Sequence, residues 1–167
     1  MFGCVSVVLG RVKENPNTFA ALFRALARAS AHAQDPEKRA EIAQAMAMPR
    51  YLDQPAPVVE QVLTGRFADG LGQVRSEPGR AGFDLFPWHS MAVWILTQLK
   101  RWGYVKGDFD YHQVAEQVFL ATDARKRMAE MGLPAPEKTY ARHKIMGKTF
   151  DPAKPEEYVN SFSIRRS

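Results

Sequence analysis

Cysteine is almost absent: Cys4 is the only one in 167 residues, so no disulfide can close within the chain and no zinc site can be built from thiolates. No apolar run approaches the roughly 18 residues that a membrane-spanning helix needs. Metal and catalytic signatures are missing as well. None of the four histidines, His32, His89, His112 and His143, pairs with another at i,i+4, and there is no HExxH or CxxC, so no metal site of the usual spacing is expected. No serine sits in a GxSxG elbow. Gly70-x-Gly72 lacks the third glycine and the following helix of a dinucleotide loop, and Gly147-Lys148-Thr149 carries only the last letters of a phosphate-binding loop. No catalytic residue, metal or cofactor is therefore expected, and the chain does not read as an enzyme.

What is present is ordinary for a folded chain: 46% hydrophobic, 11% aromatic and 25% charged residues, enough for one domain or a large piece of one. The net charge of +5 is unevenly placed, with Arg125, Lys126, Arg127, Lys138, Arg142, Lys144 and Lys148 set against Glu130 and Glu137. Such a run reads as a solvated basic face. Its cations do not line one predicted recognition helix, and few aromatics interleave with them, so no direct nucleic-acid partner is expected.

Met1 to Gly10 is apolar but lacks the basic start and the length of a secretory signal. Gly3-Cys4 hints at a lipid-anchor box whose preceding apolar segment is missing. Val5 to Leu9 reads as a short buried strand, and a chain opening on an unpaired strand is expected to belong to something larger.

Helix signals then follow in order. Asn15-Pro16-Asn17-Thr18 opens a helix whose inward face is expected at Phe19, Leu22, Phe23, Leu26 and Ala33. Asp35-Pro36 opens the next, with Ala40, Ile42, Ala43 and Met46 inward, and Pro49 closes it. Ala56-Pro57 begins a shorter helix through Val58, Val59, Val62 and Leu63, which Gly65 ends. Residues 66–88 lose the pattern to glycine and proline and read as a long loop. Ser90 is expected to cap the strongest helix, with Met91, Trp94, Ile95, Leu99 and Trp102 on one face. Asp110 with Gln113 resembles a capping box for a helix through Val114, Ala115, Val118 and Phe119, and Thr122-Asp123 starts another that Gly132 ends. Residues 134–167 are expected as an extended tail with one short helical turn near Pro152 or Pro155. The chain thus reads as mainly α, a single partial domain over 1–167 with at most one or two short strands.

Phe86-Pro87-Trp88-His89-Ser90 gathers indole and imidazole groups where the loop feeds a helix. Indole N–H, imidazole and the free amides of a helix start can all donate to an oxyanion. This segment, followed by Ala92, Trp94, Leu96-Thr97-Gln98 and Arg101-Trp102-Gly103, resembles a stretch of the nitrate/bicarbonate-binding proteins of ABC importers, the NrtA/CmpA type. Asn15 to Leu26, Met48 to Leu52 and Phe150 to Arg165 are similar to further segments of that family, in the same order. The opening, Phe2 to Val12, departs from it.

The resemblance implies the C-terminal portion of an α/β class II periplasmic-binding-protein-like fold: two lobes holding an anion between them and presented to a membrane permease. It implies a substrate-binding component of an ABC importer for nitrate, nitrite or bicarbonate, periplasmic and peripheral to the inner membrane, with permease and ATPase subunits as partners. An alternative from the same resemblance is a cytoplasmic nitrate-sensing regulator that sequesters an RNA-binding antiterminator. Such proteins are more than twice this length, and most ligand residues are expected outside this chain. Trp88 and His89 are its candidate anion-binding residues. A homodimer through an exposed apolar face is the further expected association.

Overall fold

A computed structural model describes residues 9–145 and 147–162. The chain is mainly α, as the periodicity predicts. Its short strands lie in two antiparallel hairpins, and it divides into two compact units with the boundary between Leu85 and Phe86. The strand expected at Val5–Leu9 lies outside the described residues except for Leu9, which opens helix α1 (Leu9–Glu14).

In the first unit, Pro16 sits in the first turn of α2 (Pro16–Gln34), where its missing N–H costs nothing and its fixed φ suits a helix. The helix buries Ala20, Ala27 and Ala33, while Leu22 stays 43% exposed. The Asp35 carboxylate accepts from the Glu37 amide at 2.9 Å, opening a 3-10 turn over Pro36–Lys38. Helices α3 (Arg39–Ala47) and α4 (Ala56–Thr64) then pack through Ala43, Val59 and Leu63.

Inward positions of α3 and α4 also differ from expectation. Ala40 is exposed, and Arg39 is buried in its place. The Arg39 guanidinium donates to the carbonyls of Ala33 (3.4 Å), Leu63 (2.9 Å), Pro78 (3.0 Å) and Ala81 (3.4 Å). Ala33 and Leu63 lie in the last turns of α2 and α4, where carbonyls have no partner within the helix and a cation suits the negative end of the dipole. On α4, Val58 and Val62 face outward at 50% and 60% exposure, because one short helix offers only one side to α3.

Gly65 closes α4 in the left-handed region at φ 70°. Any Cβ there would lie 1.9 Å from the Glu77 carbonyl oxygen, and the Glu77 amide donates to the Gly65 carbonyl at 2.8 Å. This contact starts a hairpin of β1 (Arg66–Ala68) and β2 (Val74–Ser76), with Phe67 opposite Arg75. Part of the stretch read as a long loop is therefore ordered sheet. Asp69 holds its turn by accepting from the amides of Leu71 (2.8 Å) and Gln73 (3.2 Å).

The second unit contains α5 (His89–Arg101), α6 (Tyr111–Val118), α7 (Ala121–Glu130), a hairpin of β3 (His143–Ile145) and β4 (Lys148–Phe150), and α8 (Pro155–Asn160). The expected tail is thus structured over much of its length. Its core joins Met91, Val93, Tyr111, Ala115, Phe150 and Tyr158, and Phe150, fully buried, meets Tyr158 edge-on at 5.1 Å. Asp110 caps α6 as predicted, accepting from the amides of His112 and Gln113. Lys100 (2.9 Å) and the Tyr111 hydroxyl (2.8 Å) both donate to Glu156 Oε1, tying α5, α6 and α8 together. The bond to Lys100 holds the Glu156 carboxyl below its ordinary value, and the same bond raises Lys100.

Helix α5 buries Met91 and packs Trp94 against the core as expected. Ser90, Val93, Thr97 and Arg101 form a further buried stripe, whereas Ile95 and Trp102, expected inward, are 37% and 45% exposed. Ser90 and Thr97 can be taken inside because their hydroxyls are bonded there, Thr97 Oγ1 donating to the Trp94 carbonyl at 2.6 Å.

Candidate functional site

The Phe86–Ser90 segment enters α5 through Trp88, which stands at the N-cap without a side-chain cap bond. Ser90, expected as the cap, lies inside the first turn. Its hydroxyl is engaged elsewhere: Oγ is hydrogen-bonded to His143 Nε2 at 2.8 Å and accepts from the Ala141 amide at 3.3 Å. Tertiary partners about fifty residues away have taken the group that a local cap would use.

His89 is equally committed. Its Nε2 lies 2.9 Å from the Phe119 carbonyl oxygen and its Nδ1 lies 3.1 Å from Thr139 Oγ1. A carbonyl only accepts, so Nε2 carries a proton and donates to it. In the neutral ring Nδ1 then accepts from the Thr139 hydroxyl. In either protonation state both nitrogens are occupied, and no N–H remains for an anion. With 6% of its surface exposed, His89 is an internal bracket between α5, the end of α6 and the strand-ward segment 139–143. Trp88 is half-buried, with its ring edge-on to Phe86 at 5.1 Å and to His143 at 5.7 Å.

Beside this bracket lies a cavity of about 400 Å³ whose walls include His89, Glu116, Phe119, Asp123, Arg125 and Thr139. Two carboxylates face it, and its one arginine already donates to the Glu137 carbonyl at 2.6 Å. The Tyr140 hydroxyl donates to Glu116 at 3.1 Å. Burial first, and then that bond, push the Tyr140 phenol up to about 12. A small oxyanion is held best by a cation and several fixed N–H donors, whereas this cavity sets Glu116 and Asp123 beside Arg125 and the first turn of α7. Among the described residues, no cluster of three or more His, Cys, Asp or Glu could hold a metal. Gly147-Lys148-Thr149 turns a hairpin into strand β4, so it does not lead into the helix that a phosphate-binding loop requires.

The sequence reading placed Trp88 and His89 beside one another and missed Thr139 and His143, the partners that decide what the segment does. Only spacing across a tertiary contact links them, and no local pattern carries that.

No protein-family model matches the chain. Over 165 residues it is 26% identical to the nitrate/nitrite binding protein NrtA of a Nostoc species, covering 93% of this chain and 38% of that protein. Over 161 residues it is 28% identical to NrtA of Synechococcus elongatus, covering 91% and 36%. The crystal structure of the periplasmic nitrate-binding protein NrtA from Synechocystis superposes with a TM-score of 0.81 at 22% identity, over 93% of this chain and 43% of that one. The chain is a relative of the NrtA-type proteins. It spans less than two fifths of the length of the NrtA sequences it matches. Its helix-rich fold is the counterpart of the C-terminal portion of the NrtA fold, which accounts for a chain that is mainly helical within an α/β architecture.

Proposed function

We propose that this chain is the C-terminal portion of the substrate-binding component of an ABC importer for a small, planar, singly charged oxyanion: nitrate, nitrite or bicarbonate. One observation carries the reading, the likeness to NrtA over more than nine tenths of the chain in both sequence and backbone. In this reading the protein binds and hands over its ligand without catalysis, works in the periplasm beside the inner membrane, and meets permease and ATPase subunits there. Relatives include proteins named for nitrate import and for bicarbonate transport, which is why a class of anion is proposed rather than one ion.

The chemistry of this chain's own residues supports a division of labour. His89 has both ring nitrogens committed, and the adjacent cavity presents carboxylates. The cation and N–H donors for the anion are therefore assigned to the part of the fold that this chain does not span. Trp88 is assigned to the edge of that site, with His89 steadying the helix start that carries it.

The test is a chimera in which this chain replaces its counterpart in the Synechocystis NrtA protein, titrated calorimetrically with nitrate, nitrite and bicarbonate. Retained binding of at least one of the three is expected, while the chain alone binds none more tightly than about 1 mM. A folded chimera that binds none of them overturns the reading. Binding by the chain alone near a micromolar overturns the division of labour.

A further inference from the structure

The outer side of α5 presents apolar groups where a free surface helix would carry charge. Successive residues of a helix advance by about 100°, so Ile95, Leu99 and Trp102 fall together on the side opposite the buried stripe of Ser90, Val93, Thr97 and Arg101, a side buried at the helix start by Met91 and Ala92 and open only further along. Ile95 is 37% and Trp102 45% exposed. The helix ends in a tight C-terminal turn: Gly103, at φ 75°, donates to the Lys100 carbonyl at 3.0 Å and Tyr104 to the Leu99 carbonyl at 2.9 Å. Tyr104, two residues past Trp102 and 80% exposed, follows in that turn. Apolar groups thus lie on both sides, with Met91, Ala92 and Val93 in the core and isoleucine, tryptophan and tyrosine outside. A helix that is apolar on both sides belongs between two layers.

We infer that the stripe of Ile95, Leu99, Trp102 and Tyr104 is a seam that packs against the portion of the NrtA-type fold lying outside this chain. Two observations commit it to that occupant. The chain covers 43% of the superposed NrtA protein at a TM-score of 0.81, so in that fold most of the molecule is still to be packed against the elements seen here. The stripe is also short, four side chains near one helix end. A self-standing interface between two proteins buries about 800 Å² on each partner, more than four such side chains supply, whereas a seam inside one fold is continuous with the packing on either side. The inference rests on the shared fold and not on the identity of the anion.

The test compares Ile95→Ser and Trp102→Ser in two settings, the chain alone and the chimera with Synechocystis NrtA, by thermal melting and by light scattering after size exclusion. In the chain alone, where these groups already meet water, each substitution is expected to move the melting temperature by no more than about 2 °C. In the chimera each is expected to lower it by about 5 °C or more. Equal shifts in the two settings overturn the seam, as does a chimera that fails to fold. Unfolding of the chain alone by Trp102→Ser overturns it by placing the cover within this chain. A dimer of the chain alone that Trp102→Ser converts to monomer overturns it in favour of a second copy. Anion binding does not enter these readouts, so a chimera that melts as expected but binds no anion removes the transport reading and leaves the seam standing.

Discussion

The two units hold themselves together by different means. The first has a small apolar centre of Ala43, Val59 and Leu63 and depends on one guanidinium that gathers four carbonyls from three separate segments. The second is packed with rings and long side chains around Phe150 and Tyr158, and its polar groups are distributed among Ser90, His89 and Glu156. Where apolar volume is scarce, a buried charge with each of its nitrogens bonded can organise helix ends. Where it is ample, polar bonds steer packing that is already favourable. The comparison is open to direct measurement because all three tryptophans, Trp88, Trp94 and Trp102, lie in the second unit. Their fluorescence follows that unit, while far-UV circular dichroism follows the helices of both.

The largest effect is expected from Phe150→Ala, which empties the centre of the second unit at a cost of about 4 kcal/mol. The fluorescence transition in urea should move to lower denaturant, and a midpoint within experimental error of the parent would mean that Phe150 is not the centre of that core. Next comes Arg39→Met, which leaves buried carbonyls without donors and should destabilise the first unit by about 3 kcal/mol. Circular dichroism should then show an early helical transition while the tryptophan signal holds its midpoint; if both signals shift together, the two units do not differ in the way described.

A smaller change is expected from Ser90→Ala, which removes a partner of His143 and the acceptor of the Ala141 amide, at about 1–2 kcal/mol, read again from the fluorescence midpoint. The smallest is electrostatic. Glu156 has its folded value depressed, so its contribution is complete above its ordinary value of 4.5 and is lost as pH falls through the depressed one. Lys100 is raised, so its contribution is complete below 10.5 and is lost as pH climbs through the raised value. With Lys100 and Glu156 side chains 27% and 51% exposed, the pair contributes under about 1 kcal/mol. Glu156→Gln should flatten the acid side of the stability profile of the second unit; an unchanged slope below pH 4.5 would remove this bond from the account.

The parts legible in the sequence are those written in local chemistry. Asn15-Pro16, Asp35-Pro36, Gly65 and Asp110 mark helix ends where the structure has them, because capping and φ preference act within a few residues. The strands were illegible, since Arg66-Phe67-Ala68 and Val74-Arg75-Ser76 are too short and too polar to show a period of two. The inward face of α5 was misassigned at Ile95 and Trp102, which hydropathy favours, while the actual choice was made by partners of Ser90 far along the chain. Arg39 gave no signal for the same reason: an arginine at the start of a helix looks like a solvated one until the carbonyls it serves are in place. The candidate site was legible as a place, the Trp88-His89 helix start, but not as chemistry, because only tertiary geometry reveals that both nitrogens of His89 are taken.

The Arg39 cluster also sets an order of events. Its acceptors, Ala33, Leu63, Pro78 and Ala81, become available together only after α2, α4 and the hairpin have all formed, so the guanidinium can leave water only at the end of assembly. A contact made that late lies on the native side of the folding barrier. Its removal should therefore speed the opening of the first unit far more than it slows closing, a difference that stopped-flow circular dichroism of Arg39→Met resolves. Arg39 then acts as a latch on the lifetime of the first unit and contributes little to the speed at which it is built.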